Sequence, residues 1–78
     1  MSVSSKIKAL LKMKNIEHAE LAAYLGITKQ ALSNKFFRGS FSAVDLIRIA
    51  DFLKCNLSFV IGDHQNITLD MSDIETSQ

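Results

Sequence analysis

Apolar positions in the first half of the chain recur three and four residues apart. Ile7, Leu10 and Leu11 share one side of a helix predicted over 4–14, and Lys6, Lys8, Lys12 and Lys14 occupy the rest. Ser4 or Ser5 is the expected N-cap, because a hydroxyl accepts from the free amides of a first turn. Asn15 reads as a connector or a cap. Residues 17–25 open on Glu17 and carry Leu21, Ala22 and Leu25 at helical spacing before Gly26 ends them. Thr28 is placed to cap a third helix over 28–37, with Leu32 and Phe36 apolar at i, i+4. Arg38-Gly39-Ser40 is a loop. Ser42 and Asp45 form an approximate capping box for a fourth helix over 43–54. That helix is the most apolar: Leu46, Ile49, Ala50 and Leu53 line one face, and Ile47 and Phe52 widen it.

Beyond residue 56 the pattern shortens. Residues 57–61 suit a brief fifth helix stopped by Gly62. Asn66-Ile67-Thr68-Leu69-Asp70 instead alternates polar and apolar, the period of a strand over 65–70. A strand needs a partner. No second strand is evident in the chain, so this one either pairs with another copy of itself or frays. The resulting expectation is an all-α, five-helix domain over 1–62, followed by an acidic tail over 63–78.

Composition narrows the class. The chain's 78 residues set one small domain with a limited core, and 47% hydrophobic content excludes a disordered chain. The absence of proline suits helices. A single cysteine, Cys55, builds no intrachain disulfide, which points to a reducing compartment. No apolar run nears the roughly 20 residues that span a bilayer. Lysines interrupt the N-terminus, so it lacks a signal-peptide core. A soluble, cytoplasmic protein with no membrane partner is expected. The net charge of +1 hides an asymmetry: residues 1–54 hold nine Lys/Arg against four acids, and residues 55–78 hold four acids and neither Lys nor Arg. The body attracts a polyanion and the tail avoids one.

The stretch LAAYLGITKQALSNKFFRG, residues 21–39, joins two short helices through a glycine turn. Such helices cross steeply, and small or apolar residues must fill their contact. Leu21, Ala22, Leu25, Ile27 and Leu32 meet that demand, with small Ala22 at the close approach. These residues, with the strong helix at 42–54, resemble the helix-turn-helix of the lambda-repressor-like family, the Cro or Xre type, over about residues 4–62. The chain departs from that family where an apolar residue usually follows Leu32 by three positions. Lys35 stands there, Phe36 is the apolar residue, and Gly39 falls one position late. A third helix one residue longer, or differently rotated, is therefore expected.

The resemblance implies a five-helix lambda-repressor-like domain whose third helix lies in the DNA major groove. Lys29, Gln30, Ser33 and Asn34 are then the base-contacting residues. Their chemistry agrees: Lys donates to guanine O6 and N7, Gln and Asn pair with adenine, and Ser reaches either type. His18 matches a position where the family often places a phosphate-contacting Gln. Thr28, Lys35, Arg38 and Ser40 are further phosphate candidates, and Ser42 is a weaker one.

Plainer readings stand beside these. The polar face of the third helix is simply solvated unless the motif is real. His18 is as well explained as an exposed first-turn residue, and the four N-terminal lysines as a solvated face. Arg48 has Asp45 and Asp51 three positions to either side and pairs locally. Phe36, Phe52 and Phe59 belong in the core, whereas Phe37 and Phe41 are dimer contacts or loop anchors. Cys55 is a semi-buried apolar residue. No CxxC, HExxH or phosphate-cradling glycine loop is present, so no catalytic residue, metal, cofactor or small-molecule ligand is expected. Nor is an inducer-sensing mechanism expected within these 78 residues.

The function that follows is sequence-specific binding of double-stranded DNA by a homodimer, as a transcriptional repressor of phage or mobile-element type. Phe41, residues 57–61 or the 65–70 strand would form the dimer contact, with the C-terminal part favoured. The alternative is a protein-interaction module, an antitoxin or anti-repressor.

Overall fold

The computed structural model describes residues 2–75. Four helices come first: α1 Val3–Met13, α2 His18–Leu25, α3 Lys29–Arg38 and α4 Ala43–Leu53. Each starts where local chemistry supplies acceptors for orphan amides. Ser2, rather than Ser4 or Ser5, caps α1 by accepting from the Ser5 amide at 3.0 Å. At α2 the Glu17 amide donates to the Glu20 carboxylate at 2.9 Å. Thr28 caps α3 through the Ala31 amide, and Ser42 and Asp45 exchange bonds at 3.0 Å to cap α4.

Gly26 ends α2 at φ +74°, a conformation that costs a side chain strain, and the Ile27 amide returns to the Ala22 carbonyl at 3.0 Å. This turn sets the α2–α3 crossing. α3 runs to Arg38, one residue past its expected end, with Leu32 and Phe36 both buried. The late Gly39 is accommodated by that extra residue.

The core lies where α1, α2, α3 and α4 meet. Leu11, Leu21, Leu32 and Leu53 are its most deeply buried side chains, joined by Ile7, Ala22, Phe36 and Ile49. Ser4 is the one buried polar residue among those described, and its hydroxyl donates to the Phe36 carbonyl at 2.6 Å. Phe41 is a loop anchor: it packs on this core with its ring 5.5 Å from that of Phe36. On the far side of α2, Tyr24 stacks on Phe52 at 4.6 Å and donates to Asp51 at 3.2 Å. Partial burial, and then the Asp51 carboxylate, hold the Tyr24 hydroxyl protonated above its ordinary range. With Asp45 bonded to Lys35 and Asp51 to Tyr24, the local pairing expected for Arg48 is not formed.

The fold is not purely all-α. Residues expected as a fifth helix are strand β1, Leu57–Ile61, which pairs antiparallel with β2, Gln65–Leu69. The strand expected at 65–70 is therefore present, and its partner lies within the chain. Gly62, at φ +70°, opens the three-residue turn. A short helix, α5 Met71–Glu75, follows and packs against α4. Positions 76–78 of the expected acidic tail lie outside the described residues.

The hairpin also corrects the expected core. Its register pairs Leu57 with Leu69, Phe59 with Ile67 and Ile61 with Gln65 on one face. Only the first pair is half-buried; Phe59, expected inside, is 65% exposed. The other face is more polar, with Ser58 and Thr68 hydroxyls 2.8 Å apart.

Candidate nucleic-acid interface

α3 has two unlike sides. Leu32 and Phe36 face the core, and Lys29, Gln30, Ser33 and Asn34 are all exposed on the outer side. Small Ala22, buried beneath the turn, lets α2 and α3 approach closely enough to fix this outer side in direction. The Gln30 side-chain amide donates to the Asn34 oxygen at 3.3 Å, one helical turn along. This bond orders two amide side chains side by side while leaving the Gln30 oxygen and the Asn34 nitrogen open to a base edge.

The electrostatics of α3 are one-sided. It carries Lys29, Lys35 and Arg38 and no acid. Lys29 stands in the first turn, where the helix dipole favours an anion, so its charge is unfavourably placed in the free domain. An external anion at that end reverses the sign of the effect.

His18 opens α2, half-buried, with its ring 5.1 Å from Phe36. It lines an open cleft of about 570 Å³ together with Lys8, Lys12, Asn15, Glu17 and Lys29. The fold thus brings His18 and Lys29 to one cleft and adds Lys8 and Lys12, two of the N-terminal lysines expected as a solvated face. Their i, i+4 spacing was visible; their approach to the α2 and α3 N-termini depends on how α1 packs. Lys8 also sits 5.2 Å above the Phe36 ring.

The remaining phosphate candidates, Thr28 apart, lie at the other end of α3. Arg38 and Ser40 are exposed there, whereas Thr28 is exposed at the N-cap, the same end as Lys29. Lys35 is engaged: its ammonium is 3.0 Å from the Asp45 carboxylate and 3.4 Å from the Ser40 carbonyl, tying α3 and its following loop to α4. Ser42 accepts from the Asp45 amide as the α4 cap.

Among the described residues, no group of three or more His, Cys, Asp or Glu side chains is placed to hold a metal ion. No helix among them is long and apolar enough to cross a membrane. Cys55 is half-buried, as expected.

The family model of the bacteriophage CI repressor helix-turn-helix domain matches residues 3–67, a span that takes in all four long helices and reaches into β2. No curated protein and no solved structure matches. With a family model covering most of its length, over the same helix pair whose geometry is described above, the chain belongs to the bacteriophage CI repressor helix-turn-helix domain family, a lambda-repressor-like family of DNA-binding repressor domains rather than of enzymes.

Proposed function

We propose that the protein is a sequence-specific repressor of phage or mobile-element type. It acts in the cytoplasm as a homodimer and inserts α3 into the major groove of double-stranded DNA. The observation that carries this reading is the outer side of α3: Lys29, Gln30, Ser33 and Asn34 are exposed on a helix with three cations and no acid. Gln30 and Asn34 supply amide pairs of the kind that recognise adenine, Lys29 supplies donors for guanine, and Ser33 accepts or donates. His18, Thr28, Arg38 and Ser40 contact phosphates around this helix. For Lys35 to join them, its pair with Asp45 must open.

One short helix reads only a few base pairs. Two copies on half-sites about 34–36 Å apart extend the readout. The exposed apolar face of the hairpin supports such pairing, and residues 55–78 carry no Lys or Arg for DNA to attract. The same face also favours a second reading, a protein-interaction module such as an antitoxin or anti-repressor.

Fluorescence anisotropy of a random 30-base-pair duplex across a salt series separates the two. DNA binding gives non-specific affinity of roughly 10⁻⁴–10⁻⁶ M, with log K falling by about 0.9 per phosphate contact against log salt. Absence of binding at low salt overturns the repressor reading in favour of the protein-interaction module.

A further inference from the structure

Phe37 is 91% exposed, the most exposed large apolar side chain among the described residues. Its place on α3 gives that exposure a direction. Gln30, Ser33, Asn34 and Phe37 fall at i, i+3, i+4 and i+7, so the ring continues the polar stripe on the outer side, away from Leu32 and Phe36. Arg38 follows it directly in sequence, exposed, on a helix without an acid. A polyanion fits this surface better than an uncharged protein does. A phenyl ring has no hydrogen bond to offer, and the apolar mark that duplex DNA displays in its major groove is the thymine 5-methyl group.

We propose that Phe37 is a specificity-determining residue whose ring packs on a thymine methyl in the major groove, beyond the bases met by Gln30 and Asn34. The inference rests on α3 being the reading helix. Seven residues at 1.5 Å rise carry Phe37 about 10 Å along the axis from Gln30. The thymine therefore lies about three base pairs from the base that Gln30 selects, given a 3.4 Å step per strand.

Selection from a randomised duplex pool, with wild type, Phe37→Ala and Phe37→Leu in parallel, provides the test. Replacing the preferred thymine by uracil then removes the methyl alone. Wild type is expected to enrich a site with a fixed thymine and to bind its uracil form about fourfold more weakly, the value of one buried methyl-sized group. Phe37→Ala is expected to lose both the thymine preference and the thymine–uracil difference, and Phe37→Leu to keep part of each. Melting temperatures of all three should agree, since the ring buries almost nothing in the free domain. Equal sequence preferences and equal thymine–uracil ratios for wild type and Phe37→Ala overturn the inference while leaving DNA reading by α3 intact. Sedimentation of Phe37→Ala as a monomer where wild type is a dimer also overturns it, assigning the ring to a protein contact. If wild type enriches no sequence at all, the repressor reading itself fails.

Discussion

The Ser4 hydroxyl on α1 donates to the Phe36 carbonyl on α3 across 2.6 Å of buried space. That carbonyl belongs to the last turn of α3, where four acceptors lack intrahelical partners. A helix end buried without a donor is costly, and a tertiary bond from a distant helix supplies the donor here. Ser4→Ala leaves the carbonyl buried and unpaired and is expected to destabilise the domain by about 1–3 kcal/mol. Urea unfolding measures this directly, and a loss below a few tenths of a kcal/mol would show that water replaces the hydroxyl.

On the proposed reading, Lys29 sets stability against function. As a cation in the first turn of α3 it opposes the helix dipole. Lys29→Glu places an anion there and is expected to stabilise the free domain by about 0.3–1 kcal/mol, read as a higher urea midpoint at low ionic strength. The same change should abolish duplex binding in the anisotropy assay, because it sets a negative charge against the bases and phosphates. Such opposition is typical where activity fixes a residue that folding does not favour. A variant that is both more stable and still binds DNA would remove Lys29 from the interface.

Asp45 is expected to make the domain acid-sensitive. Its burial alone would raise its pKa, but the Ser42 amide and then the Lys35 ammonium outweigh that effect and hold the carboxyl below its ordinary range. A carboxyl with a lowered folded pKa contributes stability above its unfolded value, about 3.9, and loses it as pH falls through the folded value. Wild type should therefore lose stability below about pH 4. Asp70, whose bonds from Ser72 also lower its pKa, titrates in the same window. Asp45→Asn is expected to start from a lower midpoint at pH 7, having lost its pair and part of its cap, and to fall less steeply between pH 5 and pH 2. A slope unchanged from wild type would assign the acid sensitivity to other groups.

The helix-turn-helix was legible because its determinants are local. Glycine at the turn, capping residues at the starts and apolar spacing within α1 to α4 each act within a few positions. What escaped depends on partners far along the chain. Residues 57–61 form a short apolar run that fits a helix or a strand; pairing of Phe59 with Ile67 decides between them. Ser4 looked like a cap until the fold drew its hydroxyl to Phe36, leaving the cap to Ser2. Arg48 looked locally paired until Lys35 and Tyr24 took its two acids. Asn15 and Lys54 end α1 and α4 in the left-handed region without glycine, so neither end carried its strongest sequence signal. At the candidate interface, the outer side of α3 follows from spacing alone, whereas the gathering of Lys8 and Lys12 beside His18 follows only from the packing of α1.

The hairpin face bears on the proposed dimer. Phe59, Ile61 and Ile67 are 65%, 53% and 59% exposed on one side of a two-stranded sheet, a structure that is only marginally stable without further cover. The stripe starts from half-buried Leu57, which also borders a small apolar groove between α1 and α4. The two strands carry no charged residue, so a second copy meets no like-charge repulsion there. Three side chains form a patch of the size ordinary monomers show, well below the roughly 800 Å² per partner of a standard interface. A weak dimer, strengthened when two half-sites hold both copies, is therefore expected. Phe59→Ser should shift sedimentation toward the monomer and cost at least about 1 kcal/mol of association, the threshold that separates central from peripheral contacts. Val60→Ser, on the opposite face of the same strand, controls for damage to the sheet and should leave association unchanged. Equal effects from the two substitutions, or none from Phe59→Ser, would move the dimer contact away from this face.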